Sequence, residues 1–353
     1  MKMTLALGGS GGRVLAAWLL AGWAVLGLRA QVDEVQVTGS TAQVIPISLT
    51  GFSGEVRQVL EFDLFVGGFN LVPAGQGRFD LSGGGTAEVR GALSDASKQV
   101  LFNRVYPGAS ARASAHALAD DVIKAATGAK VGFTARKVVF RVEPGHRNKH
   151  QEMVSELYVA DYDGANAVRL TQDDSIVRSP AWFPGRRAVY YTSYRNGLPH
   201  IYAHDLASGA RQPFARYGGM NDGIAFSPDG SRVAMVLSKA GSPDLWVAGA
   251  DGSGLRRVTT TREEESSPTW SPDGRTLCFT SSSGGGTRLY TVDAGGGTMK
   301  ALNTAGVWGA TEPDWSPNGK WIAFTRMGRG VNFEVYVVPA AGGTPRKVAD
   351  GED

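Results

Sequence analysis

Five histidines and a single cysteine bound the chemistry open to this chain. His146-Arg147-Asn148-Lys149-His150 places two histidines among cations, with only Glu143 and Glu152 as nearby carboxylates. A metal there would lack both a full ligand set and a supporting shell. His200-Ile201-Tyr202-Ala203-His204 puts both imidazoles on one face of a strand. Four residues of extended chain separate them by about 13 Å, too far to share one ion. His116 sits within a helical pattern and reads as a packing or domain-contact residue. Asp161-x-Asp163-Gly164 and Asp251-Gly252-Ser253-Gly254 resemble calcium loops but lack the remaining ligands and the terminal Glu. They read better as hairpin turns. Glu263-Glu264-Glu265 is an exposed acidic run ahead of a strand, either a solvated loop or part of a binding face. Cys278, inside Thr276-Leu277-Cys278-Phe279-Thr280, reads as a buried small hydrophobe. Gly8-Gly9-Ser10-Gly11-Gly12 has the letters of a nucleophile elbow, yet no strand precedes it. With no P-loop or dinucleotide fingerprint in the rest of the chain, no catalytic, cofactor or metal site is expected.

The elements that would have to position any site begin with a stretch outside the fold. Lys2 and Arg13 precede the apolar run Val14–Leu28, and Ala30 offers a small residue for cleavage. That is the layout of a secretory signal over residues 1–30, and the run is short for a membrane span. Its removal takes away Lys2, Arg13 and Arg29 and no acid, leaving 33 of the 36 basic residues against 33 acidic ones. The formal charge of +3 therefore belongs to the signal. A balanced mature chain gives no support to a nucleic-acid partner or to direct membrane insertion. One cysteine allows no internal disulfide in an exported protein.

A repeat fills the second half. Ser179-Pro180-Ala181-Trp182-Phe183-Pro184-Gly185 is followed by Gly223-Ile224-Ala225-Phe226-Ser227-Pro228-Asp229-Gly230. Ser267-Pro268-Thr269-Trp270-Ser271-Pro272-Asp273-Gly274 and Glu312-Pro313-Asp314-Trp315-Ser316-Pro317-Asn318-Gly319 complete the set. The second prolines fall at 184, 228, 272 and 317, spacings of 44, 44 and 45. Ser-Pro-Asp-Gly suits a type I turn, and the aromatic before it ends a short strand and fills the space between neighbouring sheets. Strands such as Arg232–Leu237, Asp244–Ala248 and Leu255–Thr259 follow within one unit. Four short strands per unit of this length describe a β-propeller blade. An earlier unit from Lys137 has the last three strands and lacks the first, so five units are recognisable.

Residues 31–136 lack the repeat and read as a small α/β domain. Strands are expected at Asp33–Thr38, Ala42–Leu49, Phe69–Val72, Ala87–Leu93 and Gln99–Tyr106. Helices are expected from Gly54 to Gly67 and from Ser110 to Thr127, with Ser110 as N-cap and Gly128 in the left-handed position after the end.

Arg112-Ala113-Ser114-Ala115-His116-Ala117-Leu118-Ala119-Asp120 through Thr127-Gly128, then Lys130, Phe133 and Arg136, resembles the end of the N-terminal domain of the TolB family. Asp161-Tyr162-Asp163-Gly164, Phe226-Ser227-Pro228-Asp229-Gly230 and Thr311-Glu312-Pro313-Asp314-Trp315 resemble its blades. The resemblance implies a signal peptide (1–30), an α/β N-terminal domain (31–136) and a β-propeller (137–353). The family has six blades where five units are recognisable here, which suits a truncated or a divergent member. The region around Gly83-Gly84-Gly85 looks compressed, as if a strand and helix of the family pattern were missing.

The resemblance further implies a periplasmic, non-enzymatic, monomeric scaffold of the Tol-Pal system. It would act in outer-membrane integrity and envelope constriction during division. A Pal-type peptidoglycan-associated lipoprotein would dock on the loops ahead of the inner strands, where Met220, Asn221, Gly223, Ser266, Thr311 and Glu312 are the matching positions. The family often carries His where Met220 stands. A TolA-type inner-membrane protein would bind the mature N-terminus, matched by position at Gln31, Val32, Asp33, Glu34, Val35, Gln36 and Val37. Two other readings stay open: a propeller hydrolase or lyase of the envelope, and a protein- or carbohydrate-binding propeller unrelated to Pal.

Overall fold

The computed structural model describes residues 5–7, 44–86, 88–129, 132–148, 150–327 and 333–350. Two compact units divide them, one over 44–136 and one combining 137–350 with the short strand β1 (Leu5–Leu7).

The smaller unit contains β2 (Ile45–Thr50), α1 (Gly54–Val66), β3 (Phe69–Leu71), β4 (Phe79–Gly84), β5 (Val89–Asp95), β6 (Val100–Tyr106) and α2 (Ala111–Thr127). Its strands run in the order β3-β2-β4-β5-β6, with β2 parallel to both neighbours and the rest antiparallel. Val56, Val59, Leu60 and Leu64 of α1 meet Ala115, Leu118, Val122 and Ile123 of α2 over Leu81 and Leu93. Fully burying a side chain such as Leu118 contributes roughly 1.5–3 kcal/mol. Ser110 accepts from the Ala113 amide at 3.1 Å, and Gly128 takes φ +71° at the far end of α2. Both are the roles their residue types suggest.

A strand was not expected at 79–84, because glycines usually mark turns. Here β4 is the middle of the sheet, and Gly83 is required by close approach. A Cβ on it would lie 2.0 Å from the Arg90 carbonyl oxygen and 2.8 Å from Phe52. Glycine in a strand interior commonly marks such an approach.

The larger unit is a propeller of five four-stranded sheets. The first blade sets β1 beside β7 (Lys137–Val142), β8 (Glu156–Asp161) and β9 (Val168–Arg169). The second comprises β10 (Val177–Trp182), β11 (Ala188–Ser193), β12 (His200–Asp205) and β13 (Arg211–Ala215). The third comprises β14 (Asn221–Phe226), β15 (Arg232–Leu237), β16 (Asp244–Gly249) and β17 (Arg256–Arg257). The fourth comprises β18 (Glu265–Trp270), β19 (Thr276–Ser281), β20 (Arg288–Asp293) and β21 (Lys300–Ala301). The fifth comprises β22 (Ala310–Trp315), β23 (Trp321–Met327), β24 (Phe333–Pro339) and β25 (Arg346–Asp350). The first-strand position missing from the earliest unit is taken by Leu5–Leu7, which pair with Phe140, Val139 and Val138. Residues 8–30 of the expected signal, the expected strand Asp33–Thr38 and the segment Gln31–Val37 lie outside the described residues.

Each repeat motif does local work. Gly230, Gly274 and Gly319 donate to the carbonyls of Ser227, Ser271 and Ser316, closing type I turns between first and second strands. The second strands are sandwiched by blades on both sides, which is why β11 is buried along its whole length. Cores form between successive sheets: Val139, Leu157 and Tyr191 join the first two blades, and Tyr190, Ile224 and Met235 the next two. Phe279, Leu277 and Val236 lie between the third and fourth, and Cys278, Phe324 and Val338 between the last two. Among the described residues no helix is long and apolar enough to cross a membrane.

Candidate functional site

Neighbouring strands in every blade are antiparallel, so two sets of loops open on the same end. One set joins the last strand of a blade to the first strand of the next. The other joins second to third strands. Together they make what is called here the upper face, and the Ser-Pro-Asp-Gly turns lie on the lower one.

All four later inner strands enter from the upper face through the same irregularity. Their pairing with the second strand slips by one residue between Arg178 and Ala181, Asp222 and Ala225, Ser266 and Thr269, and Thr311 and Asp314. The third residue of each strand is left-handed: Ser179 at φ +53°, Gly223 at +58°, Ser267 at +51° and Glu312 at +51°. Only one of the four is glycine, so three blades hold an ordinary residue in a conformation costing about 1–2 kcal/mol. Bulges of this kind re-aim side chains at the rims of β structures.

The expected docking residues gather on this face and divide by burial. Ser266 and Glu312 are exposed, and Thr311 is half-buried with its hydroxyl 2.9 Å from that of Thr325. Thr325 also donates to Glu312 at 3.2 Å. Met220 is half-buried, its amide bound to Ser238 Oγ at 2.7 Å and its sulfur 3.8 Å from Arg178 Nη2. Gly223 has no room for a side chain, since a Cβ would approach Val236 Cγ2 to 2.9 Å. Asn221 is fully buried. Its Oδ1 accepts from the Tyr217 amide at 2.8 Å, and its Nδ2 donates to Tyr217, Gly219 and Pro199 carbonyls at 2.8, 3.1 and 3.1 Å. Asn221 and Gly223 therefore shape the loop, and Met220, Ser266, Thr311 and Glu312 present surface.

Beside them Arg178 joins Asp222 across adjacent blades at 2.7 Å, and Thr192 donates to the same carboxylate at 2.7 Å. Arg178 also lies over the Tyr194 ring, and Lys239 over Tyr217 and Trp246. Large apolar side chains stand exposed in three upper loops: Met153, Leu198 and Trp308. None had been singled out in the sequence, where single apolar residues in loops carry no periodic signal.

Residues considered for catalysis sit elsewhere or are internally occupied. Asp161 to Gly164 is a hairpin turn, with Gly164 donating to the Asp161 carbonyl and Ala165 to Asp163 Oδ1. Asp251 likewise accepts from Ser253 within its own turn. His116 Nδ1 lies 2.8 Å from Asp63 in the interior of the smaller unit. His204 is half-buried and its imidazole is held below its usual pKa, first by desolvation and then by Arg211. Burial pushes the Cys278 thiol up to about 12, which removes the thiolate needed for nucleophilic chemistry. The acidic run is not uniformly exposed: Glu263 and Glu264 face solvent, but Glu265 is buried and accepts from Thr259 and Thr261 hydroxyls. Desolvation raises its pKa. The upper face offers exposed apolar, hydroxyl and charged groups to a binding partner.

Comparison with known proteins bears on that reading. The model of the TolB β-propeller domain matches residues 123–353. The Tol-Pal system protein TolB of Anaeromyxobacter dehalogenans strain 2CP-C is 38% identical over 176 residues, and that of strain 2CP-1 36% identical over 176. Each alignment takes in 50% of this chain and 38% of the relative, so the match spans well under half of those relatives' length. The crystal structure of TolB from Acinetobacter baumannii superposes with a TM-score of 0.71 at 23% identity, over 98% of this chain and 85% of that one. A putative TolB from Agrobacterium tumefaciens gives 0.51 at 18%, over 61% and 76%. These two likenesses concern the fold.

Proposed function

The chain belongs to the TolB β-propeller family, and from that premise we propose that it is a non-enzymatic scaffold of the Tol-Pal system, acting by protein contacts in the periplasm. The observation that carries the reading is the upper face itself. Exposed Met153, Leu198 and Trp308 stand on three loops of the same face as the polar positions at the four repeated bulges. Met and aromatic side chains are enriched where proteins meet, with polar groups beside them. A Pal-type lipoprotein would dock there on Met220, Ser266, Thr311 and Glu312. The segment Gln31–Val37 would reach a TolA-type partner after residues 1–30 are removed on export; that removal would take Leu5–Leu7 from the first blade and leave an α/β domain over 31–136 and the propeller over 137–353. Its role would be to support outer-membrane integrity and constriction at division.

The test contrasts two faces of one propeller. Calorimetric titration of the mature protein with the soluble domain of the Pal-type lipoprotein should give saturable binding. Leu198→Glu on the upper face should weaken it strongly, and Trp321→Glu, exposed beyond a lower-face turn, should leave it unchanged. Absence of binding, or equal loss from both variants, would overturn the assignment.

A further inference from the structure

Three of the five blades share an internal ion pair that the fourth one inverts; in the second the same two positions hold His200 and Pro213. In the first blade Glu156, at the start of the third strand, meets Arg169 of the outer strand at 2.8 Å. In the third Asp244 meets Arg257 at 2.7 Å, and in the fifth Glu334 meets Lys347 at 3.5 Å. These are the same positions of the repeat. The outer-strand cation is paired in register with Tyr158, Trp246 and Tyr336, each two residues after its acid. In the fourth blade the acid position holds Arg288, and the residue in register with Tyr290 is Ala301. A cation has replaced the acid, and its internal partner has become a methyl group.

Arg288 is half-buried, and among the described residues it makes no hydrogen bond or ion pair. Its Nε is shut off from solvent with no acceptor. Instead the guanidinium lies 3.5 Å above the centre of the Trp308 ring, and Trp308 is 48% exposed. The ring belongs to the loop where the repeat gains one residue. From outer strand to next inner strand, Arg169 to Val177 and Arg257 to Glu265 are eight steps, and Ala301 to Ala310 is nine. A run of glycines brings the facing loop close enough for the stack. A Cβ on Gly286 would approach Trp308 to 3.2 Å, and the Gly309 amide ties the two loops at the Thr287 carbonyl.

We propose that Arg288, held flat on Trp308, is a specificity anchor of the upper face that receives a carboxylate side chain of the docking protein. The buried Arg288 Nε has no acceptor in the free protein, and a carboxylate matches the planar guanidinium fork with two parallel hydrogen bonds. Trp and Arg are also the residues most often found at the energetic centres of interfaces. The inference rests on the scaffold reading above and names the chemistry of one contact within it.

The experiment measures affinity and melting temperature together, with the soluble Pal-type domain as probe. Arg288→Lys keeps the charge but loses the fork and should weaken binding about tenfold or more, the range of interface anchors. Trp308→Ala should do the same. Arg288→Glu combined with Ala301→Arg rebuilds the pair found in the first, third and fifth blades; it should melt no lower than wild type and bind least of all. A structural role would instead lower the melting temperature and the affinity in parallel. Wild-type binding that Arg288→Lys and the double variant leave within twofold overturns the anchor and spares the scaffold reading. If wild type itself does not bind, both fall.

Discussion

Asn221 offers a quantitative handle on how the upper face is held. Its side chain supplies two N–H donors and one acceptor to four backbone groups of the loops at Pro199 and Tyr217–Gly219. Truncation to Ala removes three donor protons' worth of hydrogen bonding, at about 1 kcal/mol net each. Groups left near the surface can recover some of that from water, and those left buried lose more, so about 2–4 kcal/mol is expected. For a unit of this size each kcal/mol shifts the melting temperature by about 2–4 °C, giving a fall of roughly 4–16 °C. Asn221→Asp separates geometry from polarity. It retains an acceptor for the Tyr217 amide but turns a carboxylate toward three carbonyl oxygens, so it should be worse than Ala at neutral pH and recover part of the loss in acid. Thermal melts followed by near-ultraviolet circular dichroism, with amide exchange at Tyr217, read both effects. An Ala variant melting within 2 °C of wild type, or an Asp variant as stable as Asn at pH 7, would refute the reasoning.

The bulges give a paired test: Gly223→Ala should lose about 1–3 kcal/mol from strain and the approach to Val236, whereas Ser267→Gly should be neutral or gain up to about 1 kcal/mol in urea unfolding. Cys278 should resist iodoacetamide in the native state and react fully in denaturant, because burial holds the thiol near 12; native-state labelling at neutral pH would contradict this. Glu265 adds a pH dependence, since desolvation and neighbouring Asp244 raise its pKa above the unfolded value of 4.5. The native state then binds the proton more tightly, so the stability from this group is present below 4.5 and is lost as pH rises through the raised value. Urea midpoints between pH 4 and 7 should slope less in Glu265→Gln; an unchanged slope would place the titration elsewhere.

The propeller was legible because its determinants are local. Ser227-Pro228-Asp229-Gly230 and its copies fix a turn within four residues, and the 44-residue spacing repeats it in phase. Helix α2 was equally readable from Ser110, its apolar face and Gly128. β4 was not, since nothing in Phe79–Gly84 distinguishes glycines needed for contact with Phe52 and Arg90 from glycines that turn the chain. At the upper face, sequence reasoning found positions near the inner strands but could not sort Asn221 from Ser266. Both are small polar residues next to a bulge, and only long-range burial makes one a brace and the other a surface. Arg288 and Trp308 escaped notice because their significance is a pairing across loops twenty residues apart.

A repeat protein carries its own controls, because each blade solves the same packing problem. Where the copies agree, the cause is structural: four left-handed residues appear at one strand position despite differing side chains, so the bulge belongs to blade geometry. Where one copy departs, the fold alone does not demand it. Blades one, three and five place an acid against an outer-strand cation, and their stability does not require the reverse arrangement. The fourth blade keeps its strands, its turn and its core while losing that pair, gaining a loop residue and exposing an indole. Selection for stability would favour restoring the pair, since the buried Arg288 Nε has no acceptor. The second blade lacks the pair too, with His200 and Pro213 in its place, so what sets the fourth apart is a cation at the acid position stacked on an exposed indole.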